Sequence, residues 1–338
     1  MQILYITNLP YPSNAANGIQ ITETLNGFRQ LPFVSDVVLL APGDIANNVN
    51  VTGRIIVDKS KGRICRYLLL YLKFIIRFRS WRKDDVVFTR DPFFILIRLL
   101  RPKTAIILEL HKQVNVIFWF LFNILNINVV RISEGIKPLT RCKSIVAHDA
   151  VKSVSVNRRD TNRLIGEFPW ITSPLKKILH TGSVYKGSLS EFIKLPELVP
   201  DFLFVHVGGS SSEIDEIRRR VGDRHNLILL PHIEHEKVRK LQLLVDYLFY
   251  YNNPNSVIAK YTSPLKLFEY IDAGKRIVGN NYGSVEEILK PGTFIPIPDF
   301  VDGSYKKNDY KLEQPVVPFS DWVDRCYYII SHFTNHNV

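Results

Sequence analysis

The sequence predicts an α/β protein built from two doubly wound parallel-sheet domains. Three observations carry that expectation. The chain has 338 residues, more than one ordinary core accommodates and enough for two. Short apolar runs rich in β-branched and aromatic residues recur along it. Most are continuous rather than alternating, the pattern of strands buried on both faces. Helical patterns separate most of them, so the connections are right-handed crossovers between parallel strands.

In chain order the first runs cover 3–6, 37–40, 86–88, 105–110, 129–132 and 144–147. An equal set follows at 177–180, 202–207, 227–230, 247–250, 277–278 and 294–297. The stretch 153–176 is weak, with the polar Asn157-Arg-Arg-Asp160 followed by Pro169 and Pro174. The expected domains are therefore 1–165 and 166–319. A last helical pattern, 320–333, lies in a closing segment 320–338 after Pro315 and Pro318.

Apolar residues make up 46% of the chain and charged residues 22%, which places it among globular proteins, not disordered ones. Cys65, Cys142 and Cys326 are odd in number and far apart. That spacing supports neither a disulfide framework nor a zinc site and suits a reducing compartment. The start, Met1-Gln-Ile-Leu-Tyr-Ile-Thr7, lacks a basic segment and its apolar run breaks at Asn8-Leu-Pro10. No stretch approaches about 18 uncharged apolar residues. The expectation is a cytoplasmic protein with neither secretory leader nor spanning helix.

The net charge of +12 fits phosphate-bearing ligands, an anionic membrane surface or nucleic acid. Helix-turn-helix, RNP and basic-arm signatures are missing, so nucleic acid is not an expected partner.

The sharpest local signal is Tyr261-Thr-Ser-Pro-Leu-Lys-Leu-Phe-Glu-Tyr-Ile-Asp-Ala-Gly274. Ser263 suits an N-cap, Pro264 the first helical position and Gly274 the residue past the end. The start of such a helix offers backbone N–H groups and a positive dipole end to a phosphate. Lys266 adds a charge in the first turn. Glu269, three residues on, shares its face. A carboxylate there can accept hydrogen bonds from the two hydroxyls of a ribose. The alternative is a surface ion pair between Lys266 and Glu269.

Other candidates sit where strands end, since open α/β sheets bind ligands at their carboxyl edges. Gly18 closes the loop after the first run and permits close backbone approach, although no GxGxxG is present. His111 follows 105–110 and can exchange a proton near neutral pH, or serve a structural role. Thr181-Gly-Ser-Val-Tyr-Lys-Gly187 offers Gly182, Gly187 and Lys186, and Gly208-Gly209 ends the next strand. Together these loops place two amines, Lys186 and Lys266, near one diphosphate.

Taken in order, these residues resemble the retaining family 4 glycosyltransferases of the GT-B fold. The resemblance runs over nearly the whole chain. It rests on Ile3-Leu-Tyr-Ile6 with the loop to Gly18, Asp85-Val-Val-Phe-Thr-Arg-Asp91, Leu108-Glu-Leu-His111 and Ile132-Ser-Glu134. It continues through the Gly182–Gly187 loop, Gly208-Gly209 and Ser263-Pro-Leu-Lys-Leu-Phe-Glu-Tyr270.

The resemblance implies two Rossmann-like domains facing each other across a cleft, with the last helix crossing back to the first. It implies a nucleotide base flanked by His232 and Ile233, a ribose on Glu269, and a transferred sugar near His111. The diphosphate would lie on Lys186, Lys266 and the backbone of Thr262, Ser263, Pro264 and Leu265, with Gly18 approaching it. Gly182, Ser183, Gly208 and Gly209 complete the donor-binding set, and His111, Lys186 and Lys266 form the catalytic set. Two positions depart from the family pattern. Tyr261 stands where a second glutamate is usual, and Ser183 follows Gly182 in a shortened loop that usually carries an arginine.

The implied activity is transfer of a hexose from a nucleoside diphosphate to a glycan or lipid-linked acceptor. GDP-mannose is favoured over a UDP-hexose on family frequency. No DxD pair lies in a plausible loop, so neither an obligatory metal nor a separate cofactor is expected. No carboxylate can be placed as an enzymic nucleophile, which favours front-face transfer with retention. A sugar-nucleotide hydrolase or epimerase on the same scaffold, and a non-catalytic binding module, stand as alternatives.

Two surface features remain. The basic aromatic stretch 63–83 reads as a helix resting on an anionic membrane or near a charged acceptor, or as a solvated helix packed on the sheet. The apolar stretch 116–122 reads as core or as a homodimer contact.

Overall fold

A computed structural model describes residues 1–13, 16–43, 54–77, 84–184, 187–306 and 318–334, with backbone alone at 54–56, 77 and 258. Its contacts divide the chain into two compact units. The first comprises 1–150, 261–263 and 318–338, and the second 151–260 and 264–317.

The first unit is built on a parallel sheet of seven strands. They are β1 (Gln2–Ile6), β2 (Asp36–Gly43), β3 (Arg54–Asp58), β4 (Val86–Thr89), β5 (Ala105–Leu110), β6 (Asn128–Arg131) and β7 (Ser144–Val146). Their order across the sheet is β3-β2-β1-β4-β5-β6-β7. Ile3, Leu4, Tyr5 and Ile6 are all fully buried. Burial of consecutive residues means that both faces of the sheet are covered, which explains why the runs do not alternate. The order reverses between β1 and β4, so their carboxyl ends form this sheet's switch point. Strand β3 was not anticipated. Its three apolar residues stand between Arg54 and Asp58 at the sheet's edge, too short a run to separate from a loop.

The second unit is built on a parallel sheet of six strands. They are β8 (Lys176–Thr181), β9 (Phe202–Val207), β10 (Leu227–Leu230), β11 (Tyr247–Tyr250), β12 (Arg276–Gly279) and β13 (Ile295–Pro296). Their order is β10-β9-β8-β11-β12-β13, so the switch point lies between β8 and β11. The two sheets give the chain the GT-B fold.

The unit boundary falls at Ala150 and Val151, earlier than the sequence suggested. Leu164 and Phe168 belong to the second unit's core. The helix that carries them, Arg158–Glu167, buries only Leu164, so its sequence reads as polar linker.

The last helix, Trp322–Phe333, packs on helix Ala16–Arg29 of the first unit. Gly27 allows the contact: a Cβ there would lie 2.6 Å from the Trp322 carbonyl oxygen and 2.8 Å from Cys326 Sγ. No helix among the described residues is long and apolar enough to cross a membrane.

Candidate functional site

The second unit's switch point is framed by Thr181 at the end of β8 and Tyr250 at the end of β11. Lys266 reaches both. Its ammonium donates to the Thr181 carbonyl oxygen at 3.1 Å and stands 5.1 Å from the centroid of the Tyr250 ring. The amine is delivered by helix Leu265–Asp272, whose second residue is Lys266. The dipole of that helix adds positive potential at the same end.

The turn beneath the amine is mostly bare backbone. Gly182 has φ +129° and donates its N–H to the Val207 carbonyl oxygen at 3.0 Å. Gly208 has φ +149°, and a Cβ there would lie 1.9 Å from the Gly182 carbonyl oxygen. Only glycine fits both demands. Gly209, at φ +79°, accepts a 2.7 Å hydrogen bond from the N–H of His232. The loops after β8, β9 and β10 are thus stitched together by main chain. Tyr270, from the same helix as Lys266, locks the turn through its hydroxyl. That oxygen accepts from the Thr181 N–H at 3.0 Å and lies 2.9 Å from Thr181 Oγ1. Ser183 is exposed. Lys186 lies outside the described residues.

Below the turn, His180 and His206 face each other across paired strands, Nδ1 to Nδ1 at 2.9 Å. Ser188 Oγ stands 2.8 Å from His180 Nε2. His206 Nε2 has no partner among the described residues. Between the two Nδ1 atoms one ring donates and the other accepts. Burial lowers both pKa values, His206 to about 4, and the charge of Lys266 adds to it. The pair is a neutral support under the site.

Glu269 faces away from Lys266. It is 5% exposed and is held by helix His235–Leu244. His235 Nε2 lies 2.7 Å from one carboxylate oxygen, and Gln242 Nε2 donates to the other at 3.4 Å. Arg239 donates to the Glu269 carbonyl oxygen at 2.7 Å and to Asp272 Oδ2 at 2.5 Å, near the helix's negative end. The surface ion pair between Lys266 and Glu269 is therefore not formed. His232 is exposed, and Ile233 packs against the second unit's core.

The expected cap is corrected as well. Pro264, not Ser263, occupies the N-cap position, and the helix starts at Leu265 with no side-chain cap. Ser263 is buried, and its hydroxyl accepts from the Asp149 N–H at 3.0 Å in the first unit. Thr262 is half-buried beside it, and Tyr261 packs against the first unit's apolar cluster.

In the first unit, Gly18 is the third residue of helix Ala16–Arg29. A Cβ there would lie 1.8 Å from the Ser13 carbonyl oxygen. The close approach that glycine permits is thus taken by the loop itself.

His111 stands at the end of β5 in a chain of buried polar groups. Its Nε2 lies 2.6 Å from Glu109 Oε1 and 2.7 Å from Arg90 Nε. One nitrogen cannot donate to the first and accept from the second. The carboxylate contact is shorter and charge-assisted, so Nε2 bears the proton. Nδ1 then accepts from Arg90 Nη2 at 2.8 Å. Arg90 Nη2 also donates to Gln20 Oε1 at 2.7 Å, and Gln20 Nε2 donates to Asp149 Oδ2 at 2.5 Å. The other oxygen of Glu109 accepts from Arg325 Nη2 at 2.7 Å.

Desolvation, reinforced by Arg90, lowers the His111 pKa to about 4, so the imidazole is neutral near pH 7. One edge remains open, with 25% of the side chain exposed. Burial raises the Asp149 pKa to about 6. Arg325, His111 and Arg90 overcome burial at Glu109 and hold its carboxyl well below the usual range.

Gln20, Arg90, Glu109, Asp149 and Arg325 carried no role in the sequence reading, and neither did His180, His206, His235, Arg239 and Gln242. Some left a trace. Glu109 is the one charge in an otherwise apolar strand. His235, Arg239 and Gln242 recur at four and three residues, the spacing of one helix face. Among the described residues, no group of three His, Cys, Asp or Glu side chains is arranged to hold a metal ion.

No family model matches the chain, and no curated protein matches it in sequence. Solved structures match it in fold. HepE from Anabaena, crystallised with UDP, superposes with a TM-score of 0.67 at 12% identity, covering 98% of this chain and 96% of its own. The lipopolysaccharide outer core galactosyltransferase WaaB gives 0.62 at 15% identity, with 99% and 96% covered. The UDP-GlcNAc 2-epimerase of Neisseria meningitidis, bound to UDP-GlcNAc, gives 0.62 at 12% identity, with 98% and 99% covered.

Proposed function

We propose that the chain is a glycosyltransferase that takes a hexose from a nucleoside-diphosphate sugar. The observation that carries this reading is the position of Lys266. Its ammonium spans the strand ends at the second unit's switch point, above the turn at Gly182, where a Cβ would meet only the Lys266 ammonium, at 3.4 Å. A diphosphate needs that combination of one fixed cation, a helix start and close backbone approach. Lys186, Ser183 and the backbone of Pro264 and Leu265 are assigned to the same diphosphate. The ligands named with the fold neighbours, UDP and UDP-GlcNAc, support a uridine donor over the GDP-mannose that the sequence favours.

The base is assigned to His232 and Ile233. The ribose is assigned to Glu269, whose half-exposed partner His235 must yield one carboxylate oxygen to it. As the sugar leaves, negative charge grows on the phosphate that Lys266 faces, and preorganised charge there lowers the barrier. We assign front-face transfer with retention, in which the leaving phosphate takes the acceptor's proton. His111, neutral and open on one edge, is suited to hydrogen-bond a sugar hydroxyl rather than to donate a proton at neutral pH. The acceptor class is a glycan or a lipid-linked glycan.

The fold match to a UDP-GlcNAc 2-epimerase supports a second reading, an epimerase or hydrolase on this scaffold. A donor panel separates the two. UDP- and GDP-hexoses are incubated with and without glycan acceptors, nucleotide release is measured, and products are read by NMR. Release that needs an acceptor, with the anomeric configuration retained, is the expected result. Epimerised donor, or release to water alone, would replace the transferase assignment, and an inverted product would remove front-face transfer.

A further inference from the structure

Thirteen of the eighteen large apolar side chains that stand exposed among the described residues fall in three neighbouring elements of the first unit. The elements are helix Arg63–Arg77, the turn and short helix from Pro92–Leu96 to Ile97–Leu100, and helix Val116–Ile124. They adjoin one another: the Tyr67 and Phe93 rings are 5.3 Å apart, and Phe93 meets Phe118 at 6.2 Å. Ile64, Leu68 and Leu72 are 78%, 66% and 52% exposed, Leu99 65%, and Ile117 and Phe120 64% and 56%.

This exposure is not imposed by helix formation. Helix Arg63–Arg77 already has an inward face, since Leu70 and Phe74 are buried in the core. Ile64, Leu68 and Leu72 form a second apolar stripe at four-residue spacing, on the other side of the helix. Helix Val116–Ile124 repeats the arrangement, with Trp119 and Phe122 inside and Ile117 and Phe120 outside.

The charge around this face is mostly positive, with Asp84 exposed just past the segment 59–83. Residues 59–83 include no Asp or Glu, and residues 92–131 only the buried Glu109. The flanking Asp91 accepts from the Tyr67 hydroxyl and the Phe93 N–H. Arg63 is exposed on the first helix and Arg66 and Lys73 are half-exposed there; Arg98 and Arg101 are half-exposed on and just after the short helix, and Lys103 and Lys112 are exposed in the adjoining loops. A second copy docking here would press cations against cations. An anionic bilayer answers both features at once, taking the apolar side chains into its interface while its headgroups meet the cations.

We infer that this three-element face seats the first unit on an anionic lipid bilayer, lying in the interface without crossing it. The helix at 63–77 is one part of a composite surface, and the apolar helix at 116–124, which in sequence suggests core or a dimer contact, is another.

Flotation of the full chain tests the inference with two vesicle types, phosphatidylcholine alone and phosphatidylcholine mixed with phosphatidylglycerol. At low salt, the bound fraction with the anionic vesicles is expected to exceed that with neutral ones about tenfold and to fall as salt rises. Leu68→Asp with Leu72→Asp is expected to abolish binding without changing the thermal midpoint, because both side chains face solvent. Leu99→Asp, on a different element, is expected to weaken it independently, which keeps the test decisive if the double variant misfolds. Failure to float with either vesicle, or equal flotation of wild type and both variants, would overturn the inference. So would a dimer in sedimentation equilibrium that Leu68→Asp with Leu72→Asp dissolves, because the occupant would then be a second copy.

Discussion

His111 and Asp149 belong to one buried chain of polar groups and pull the stability of the first unit in opposite directions as pH changes. The His111 pKa falls from 6.5 to about 4 on folding. Its contribution is full above about 6.5 and is lost as pH drops toward 4, because the unfolded chain binds the proton first. The Asp149 pKa rises from 3.8 to about 6. There the folded chain holds the proton longer, so stability falls as pH rises through the window from about 4 to 6. The two slopes nearly cancel in the wild type. Relative to the wild type, Asp149→Asn is expected to make stability rise more steeply with pH between about 4 and 6, and His111→Gln to make it rise less steeply between about 4 and 6.5. Urea denaturation across that range measures both slopes, and parallel curves for the two variants would contradict the assigned shifts. The sequence offered His111 as a candidate because it ends a strand. It could not show what surrounds the ring, since Arg325 reaches Glu109 from 216 residues away. Lys266 was legible for the opposite reason: its helix position and the nearby glycines are local features.

At the scale of elements, the last helix is tied to β5 by the buried Arg325–Glu109 pair, whose side chains are 0% and 3% exposed. Removing one partner from such a pair leaves an uncompensated buried charge, which costs about 3–5 kcal/mol. Arg325→Met is expected to lower the unfolding free energy by that amount. Arg325→Met with Glu109→Gln is expected to recover only part of it, because Glu109→Gln also takes the carboxylate from the buried Arg90. A cost under about 1 kcal/mol for the single variant would mean that the carboxylate finds another partner. The turn under Lys266 makes a similar demand on backbone. At Gly208 a methyl group meets the Gly182 carbonyl oxygen and the residue holds a positive φ, so Gly208→Ala is expected to cost about 2 kcal/mol or more. Retained UDP affinity and an unchanged melting midpoint in that variant would count against the turn as described. Most strands were legible because continuous burial leaves continuous apolar runs. Strand β3 and helix Arg158–Glu167 were not, because an edge strand and a helix with a single buried residue leave too little apolar pattern. The Ser263 cap was misread because its hydroxyl is taken by Asp149, a contact between residues 114 positions apart.

For the whole molecule, the alternation of apolar runs and helices was enough to give two parallel sheets, and the fold neighbours have the same architecture. Which residues converge at each sheet's switch point was only partly open to sequence, because strand order, not strand identity, decides it. Lys266 is the fixed cation of the proposed nucleoside-diphosphate site, so calorimetric titration of UDP into the wild type and into Lys266→Ala is the decisive experiment. Measurable binding by the wild type is expected, weakened at least about tenfold, or about 1.4 kcal/mol, by the substitution, with the unliganded thermal midpoint unchanged. Equal affinities in the two proteins, or no binding of either UDP or GDP to the wild type, would contradict the account.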